Sequence, residues 1–508
     1  MGGGVQWMTD SVQEIFQISG LNLQTVLVLC GTFLFAWYLL NRPRNLPPYP
    51  AGSLPVLGHL LALGRTPHHK LTAWRRQYGD VFTVRMGMED VVVLNGYAAV
   101  KDALVDRSEL FASRPPHYIL DAVYGFGKDI LTVRWGTVLK QRRRFAFSTF
   151  KSLGMKVGKG SIEGQIQEEA NCLRHRMVEY EEKPFDISHD LDVAVANVIC
   201  GMEFGKRYEF DDETFHKLLK TITSLIAEFG SAEITTVYPF LRFIPGMNRA
   251  YNRAMGLNEK IQGVIWDEIA RHRENLDREN PRDFLDYFLL EVEKQERVEG
   301  LTEEIVMYTA LDMFLAGTET TTNTLLWSLI YMTSNPGIQK KAQQELDAVV
   351  GDGQPTLSHR PQLPYVNACL LETMRIRTLL PLSVPHATSQ DVKVQEFDIP
   401  EGTKILLNMQ SVHMDSAYWP DPERFDPERF LDAEGNVINK PDSFLPFGGG
   451  RRVCLGEQLA KMELFLFFST LLQSFTFKLP EGAPPPNTDG VLGITLKPLP
   501  FKLCAIQR

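Results

Sequence analysis

The sequence predicts a mainly α-helical domain with a minor β region, preceded by one membrane-spanning helix. Three observations carry that expectation. Most of the middle of the chain reads as helix, while strand-like runs are few and short. A composition of 44% hydrophobic and 23% charged residues over 508 positions suits a large packed core. Residues 21–40 are uncharged and mostly apolar, about the twenty residues that a bilayer-crossing helix needs.

Before this apolar run, residues 1–20 hold Asp10 and Glu14 but no Lys or Arg, and Arg42 and Arg44 follow it. The excess of positive charge after the run places the bulk of the chain in the cytoplasm and leaves 1–20 as a short lumenal segment. A cleaved signal peptide fits poorly, because the run is long, lacks a basic region ahead of it and offers no small-residue cleavage site. Residues 41–52 are basic, then proline-rich through Leu46-Pro47-Pro48-Tyr49-Pro50-Ala51-Gly52, and read as a stiff extended hinge. Residues 53–508 form the domain, with no linker or repeat dividing them.

Within the domain, Val81–Val84 and Val91–Leu94 flank a Gly/Met/Glu/Asp turn and read as a hairpin, and Lys404–Leu407 reads as a further strand. The longest helix begins after Thr302, a good N-cap, with Glu303 and Glu304 in the first turn where the helix dipole favours acids. Asn335-Pro336 stops it after roughly 45–50 Å. A net charge of -9 argues against a nucleic-acid partner. The six cysteines, Cys30, Cys172, Cys200, Cys369, Cys454 and Cys504, are scattered, so neither zinc site nor disulfide framework is expected.

Two stretches carry chemistry. In Phe447-Gly448-Gly449-Gly450-Arg451-Arg452-Val453-Cys454-Leu455-Gly456, glycines let the backbone turn tightly and approach a flat ligand. Backbone N–H groups and the N-terminus of the helix that follows favour the thiolate of Cys454, the metal-binding form. In the long helix, Ala316-Gly317-Thr318-Glu319-Thr320-Thr321-Thr322 sets poor helix formers between the apolar flanks Met313-Phe314-Leu315 and Leu325-Leu326-Trp327. Hydroxyls there can bond carbonyls of the preceding turn and open a groove beside a reaction centre.

The spacing Phe-x-x-Gly-x-Arg-x-Cys-x-Gly resembles the haem-binding loop of the cytochrome P-450 superfamily, whose cysteine thiolate is the axial iron ligand. The resemblance implies the fold of that family, heme b as cofactor and Cys454 as metal ligand. It places Phe447, Gly448, Gly456 and Ala316 against the cofactor. Ala316–Thr320 resembles the family's oxygen-binding motif, which makes Glu319 and Thr320 the catalytic acid–alcohol pair that relays protons to dioxygen. Arg452, Arg143 and His386 match positions that hold the haem propionates. The family's tryptophan position falls on Leu139, one turn after Trp135, which leaves that contact unassigned. Glu372, Arg375 and Arg429 match a buried structural cluster.

Asn280–Asp286 and Gly456–Phe465 look like the microsomal family 2, nearest in wording to branches that hydroxylate long-chain fatty acids. By that resemblance the protein is a single-pass protein of the endoplasmic reticulum membrane, with the domain facing the cytoplasm. It would insert one oxygen atom of O2 into a fatty acid, steroid or xenobiotic. No dinucleotide fingerprint occurs, so NADPH electrons would come through NADPH-cytochrome P-450 reductase, with cytochrome b5 as a further partner and lipid as surroundings. Lys140, Arg142, Arg143 and Arg144 offer a basic face for an acidic donor. Pocket walls are expected from 113–123, Phe314, Ala316, 380–384 and 492–494. The rivals are a haem-thiolate isomerase or dehydratase, which needs no proton relay, and a non-enzymatic haem sensor.

Overall fold

The computed structural model describes residues 23–40, 45–154, 162–231, 233–438 and 440–508. Residues 1–20, Leu21, Arg42 and Arg44 lie outside the described residues. Leu23–Leu40 forms helix α1, and Val28, Leu29 and Phe33 on it are exposed. Among the described residues no helix is long and apolar enough to cross a membrane. The membrane-crossing expectation therefore rests on the sequence. The hinge is tied down: Pro48 O accepts from Thr83 N at 2.8 Å, and Pro47 O from the Thr83 hydroxyl at 3.0 Å.

The hairpin and the strand at 404–408 form as the sequence indicates, and further short strands pair in three two-stranded sheets that it does not indicate. Strands β1 (Val81–Met86) and β2 (Glu89–Asn95) pair antiparallel, Val81 opposite Leu94. After the short β3 (His386–Ala387), β4 (Lys404–Asn408) joins β2 in parallel, giving the order β1-β2-β4-β3. The central residues of β2 and β4 are apolar and buried, as a strand covered on both faces requires.

The helical body surrounds one long helix. Its members of interest are α2 (Thr137–Ser152), α3 (Ile162–Val178), α4 (Ser188–Phe204), α5 (Glu303–Ser334), α6 (Pro364–Ile376) and α7 (Glu457–Ser474). Thr302 caps α5 by accepting from Ile305 N at 3.3 Å. Helix α5 packs on α4, α6 and α7 and is buried nearly all round. At Gly317 a Cβ would stand 2.6 Å from Ile199 Cδ1 of α4, so glycine is what allows these helices to approach.

Helix α5 runs unbroken through residues 316–322. The expected groove is thus not a break in the helix. It shows instead as Ala316, exposed in mid-helix between buried Leu315 and buried Thr318. The polar residues do bond backward: Thr318 to Phe314 O at 2.9 Å, Thr320 to Ala316 O at 2.7 Å and Thr324 to Thr320 O at 2.9 Å. Thr318, Thr321 and Thr322 are buried, so the threonines are no solvent-facing stripe.

Candidate active site

The Cys454 loop is shaped by two of its three glycines. Gly448 (φ 71) and Gly450 (φ 61) are left-handed, and a Cβ on Gly450 would lie 1.6 Å from Leu104 O. Gly449 is extended at φ -163, open to any residue. The loop closes where Cys454 N donates to Phe447 O at 3.0 Å.

Cys454 keeps solvent-accessible surface although protein crowds round it. Burial pushes its thiol pKa above the ordinary value, while the Gly456 N–H, Arg143 and Lys461 pull it down. Desolvation of the sulfur outweighs these neighbours on their own. A coordinated cation reverses that balance and deprotonates a thiol outright.

Beside the loop stands a cluster of three arginines and a histidine held by backbone carbonyls. Arg452 donates from Nε to Ala112 O (2.7 Å), from Nη1 to Ile130 O (3.1 Å) and from Nη2 to Val133 O. Arg114 donates to Leu131 O (3.2 Å), Val384 O (3.0 Å) and Pro385 O (2.9 Å). Arg143 donates to Val453 O. His386 is buried, with Nδ1 2.7 Å from Phe111 O, and is no surface histidine.

Burial lowers all four groups, and repulsion from neighbouring arginines adds to it for Arg114, Arg452 and His386. Arg114 falls well below its ordinary value, with Arg452 and Arg143 adding to the effect. Arg452 is lowered to about 10, again with Arg143 as second cause. His386 is also well lowered, by burial and then Arg114. Crowded, desolvated positive charge calls for an anion.

Asp312 of α5 completes the frame. One of its oxygens accepts from Ile130 N (2.7 Å) and Leu131 N (3.2 Å), whose own carbonyls hold Arg452 and Arg114. Burial and neighbouring Asp129 raise its carboxyl pKa well above the usual range. From the sequence Arg114 is placed only within a pocket wall, and Asp312 has no role. The signal available was a lone charge in an otherwise apolar segment.

The basic run on α2 splits. Arg142 is buried against Gly127 O (2.9 Å) and Asp129 O (2.8 Å), and Arg143 points at the loop. Only Lys140 and Arg144 are exposed, so the basic face is smaller than expected. Lys140 lies 4.7 Å over the Trp135 ring, whereas Leu139 is fully buried in the core.

On α5, Glu319 is half-buried. Burial raises its carboxyl pKa, against the pull of Lys497, Thr495 and Asn323. Behind the loop, Glu372 and Arg375 are completely buried. Glu372 accepts from Arg375 Nε (2.7 Å) and Nη2 (2.8 Å), Asp426 N (2.9 Å) and Arg429 Nε (3.2 Å). Arg375 also holds His413 O at 2.8 Å, and His413 Nε2 accepts from Leu445 N at 2.9 Å, two residues before Phe447. The cluster is therefore wired to the base of the cysteine loop.

This arrangement fits a flat iron-binding group with two carboxylates: a solvent-accessible cysteine, a tightly turned loop, and crowded, desolvated arginines held by backbone carbonyls. The family model for cytochrome P450 matches residues 47–505. Cytochrome P450 2U1 of Mus musculus is 37% identical over 509 residues, covering 95% of each chain. Cytochrome P450 2D6 of Homo sapiens is 39% identical over 495 residues, covering 95% of this chain and 98% of its own. Cytochrome P450 2D4 of Rattus norvegicus is 38% identical over 503 residues, covering 96% and 99%. The family implies heme b with a cysteine thiolate ligand, and O2 with NADPH-derived electrons passed through a reductase. The chain belongs to the cytochrome P450 family, among the monooxygenases of its microsomal family 2.

Proposed function

We propose that the protein is a monooxygenase of the endoplasmic reticulum membrane that inserts one oxygen atom into lipophilic small molecules such as fatty acids, steroids or xenobiotics. The observation that carries this is the interior cluster of Cys454, Arg452, Arg143, His386 and Arg114. Cys454 would supply the iron's thiolate ligand. Arg452, Arg143, His386 and Arg114 would hold the two propionates, and Phe447, Gly448, Gly456 and Ala316 would line the cofactor. When bound, the haem supplies dioxygen activation. Glu372, Arg375 and Arg429 are structural and hold the loop from behind. The electron donor is NADPH-cytochrome P-450 reductase, with cytochrome b5 as a second donor. Screening a lipid extract for oxygenated products, with reductase and NADPH present, tests the reading.

Glu319 and Thr320 form the proton relay. The Thr320 hydroxyl donates to Ala316 O at 2.7 Å, which leaves its oxygen free to accept from a neighbour. The raised pKa of Glu319 lets it hold a proton at higher pH than an ordinary glutamate. Thr320→Ala is therefore expected to keep haem and substrate binding while product per NADPH falls and hydrogen peroxide rises. Relays of this kind contribute about 10²–10⁴-fold. Unchanged coupling in a stopped assay of product against NADPH would remove Thr320 from the relay.

The membrane is met at two places. Residues 21–40 anchor the chain, with 41–52 as hinge and 53–508 as the catalytic domain on the cytoplasmic side. The second place is a patch of exposed apolar side chains: Phe240 (54%), Phe243 (76%) and Ile244 beside Val56 (62%) and Leu61 (69%). Tyr238 Oη donates to Val56 O at 2.9 Å and joins the two halves of this patch. So large an exposed apolar face suits a bilayer surface. Deleting residues through Leu40 should leave a protein that still sediments with liposomes, and Phe240→Ser with Phe243→Ser should release it. A truncated protein that floats free of liposomes before those substitutions defeats the second contact.

A further inference from the structure

Glu463 of α7 stands nine residues after Cys454, 1% exposed in the core. Its Oε2 accepts from the Thr321 hydroxyl at 2.9 Å, and its Oε1 has no partner. Thr321 follows Thr320 directly on α5 and is itself 2% exposed. Thr318, Thr320 and Thr324 all spend their hydroxyls on their own helix, whereas Thr321 reaches across. Among the described residues this is the only side-chain hydrogen bond between α5 and α7.

The surroundings decide the protonation state. Helices α3, α5, α6 and 336–349, the turn 357–362 and the strand 475–478 pack on α7. None of them brings a charged side chain that shifts Glu463. Burial pushes its carboxyl up to about 8, opposed only by the Thr321 hydroxyl. A lone carboxylate here would be costly, so the neutral acid is the resident form at neutral pH.

We propose that Glu463 is a positioning residue which, through Thr321, fixes the rotation of α5 that presents Glu319 and Thr320, and so ties the relay helix to the helix following the Cys454 loop. The proposal rests on the relay and ligand assignments made above. Ionisation of Glu463 places an uncompensated charge between the two helices and loosens the register. The native state binds this proton more tightly than the unfolded chain, whose glutamates titrate near 4.5. Its contribution to stability therefore falls from about pH 4.5 to about 8 and is level above that. The native-state change in the relay comes at the upper end, near 8.

The test compares full-length holoenzyme of wild type, Glu463→Gln and Thr321→Val from about pH 6.5 to 9.5. Two quantities are read: product per NADPH, and amide hydrogen exchange of residues 316–324. Glutamine still accepts from Thr321 but cannot ionise. It should protect 316–324 as wild type does at pH 7 and abolish the wild-type fall in protection and coupling near pH 8. Thr321→Val should lower coupling severalfold at pH 7 and speed exchange across 316–324. Glu463→Gln following the wild-type alkaline fall, or Thr321→Val with wild-type exchange, overturns the proposal. Should Thr320→Ala leave coupling unchanged, the relay assignment fails, and the exchange data still decide the role of Glu463.

Discussion

Serine in place of Cys454 is expected to abolish the thiolate-type absorbance of the reduced, carbon-monoxide-bound protein, and with it all monooxygenase turnover. The substitution is nearly isosteric, so the loop should survive: its closing bond from residue 454 N to Phe447 O uses backbone atoms only. What changes is the donor atom. Burial already lifts the thiol pKa against the help of the Gly456 N–H and Arg143. A hydroxyl ionises far less readily than a thiol, and the same burial opposes its anion more strongly still. Neutral oxygen remains, a poor match for the soft-ligand role of cysteine. The spectrum of purified, haem-containing variant decides the matter. A persistent thiolate-type band would mean that another residue is the ligand.

Cys454 and the α5 motif were legible because their information is local. A ten-residue spacing fixes the loop, and a run of threonines in an apolar helix marks the segment proposed as the relay without any knowledge of packing. The hairpin and Thr302 cap were legible for the same reason. Arg114 was not. It lies within an apolar pocket-wall segment, and only the fold brings it to Arg143, Arg452 and His386, which are remote in sequence. Helix phase misled at the basic run. Leu139, Arg142, Phe145, Ala146 and Thr149 form one buried stripe, so periodicity could have set Arg142 inward and left Lys140 and Arg144 outside. At Cys454 the Gly456 N–H and nearby cations pull toward the thiolate as expected, burial opposes them, and a coordinated cation tips the balance to the thiolate. Glu463 offered only the weak signal of an acid entering an apolar helix, and its partner Thr321 is supplied by the tertiary contact alone.

Arg375→Met should prevent accumulation of folded, haem-retaining protein at growth temperature. Arg375 and Glu372 are completely buried, and the arginine makes two bonds to the carboxylate while also gripping His413 O and Pro422 O, each at 2.8 Å. Methionine fills much of the volume but satisfies none of these four acceptors. Glu372 would keep only Arg429 Nε and the Asp426 N–H, at 3.2 and 2.9 Å. Breaking a buried pair by removing one partner costs about 3–5 kcal/mol, a large share of a domain's net stability. The damage should also reach the cysteine loop, since His413 positions Leu445 N and is kept neutral, at about 3, by burial with Arg375 as second cause. The measurement is thermal unfolding of Arg375→Met beside the double variant Glu372→Gln, Arg375→Met. The double variant leaves no unpaired carboxylate, so it should be the more stable of the two, a coupling of about 0.5–3 kcal/mol. A single variant that melts within about 1 kcal/mol of wild type, or a double variant no better than the single, would show that the cluster does not hold the core in this way.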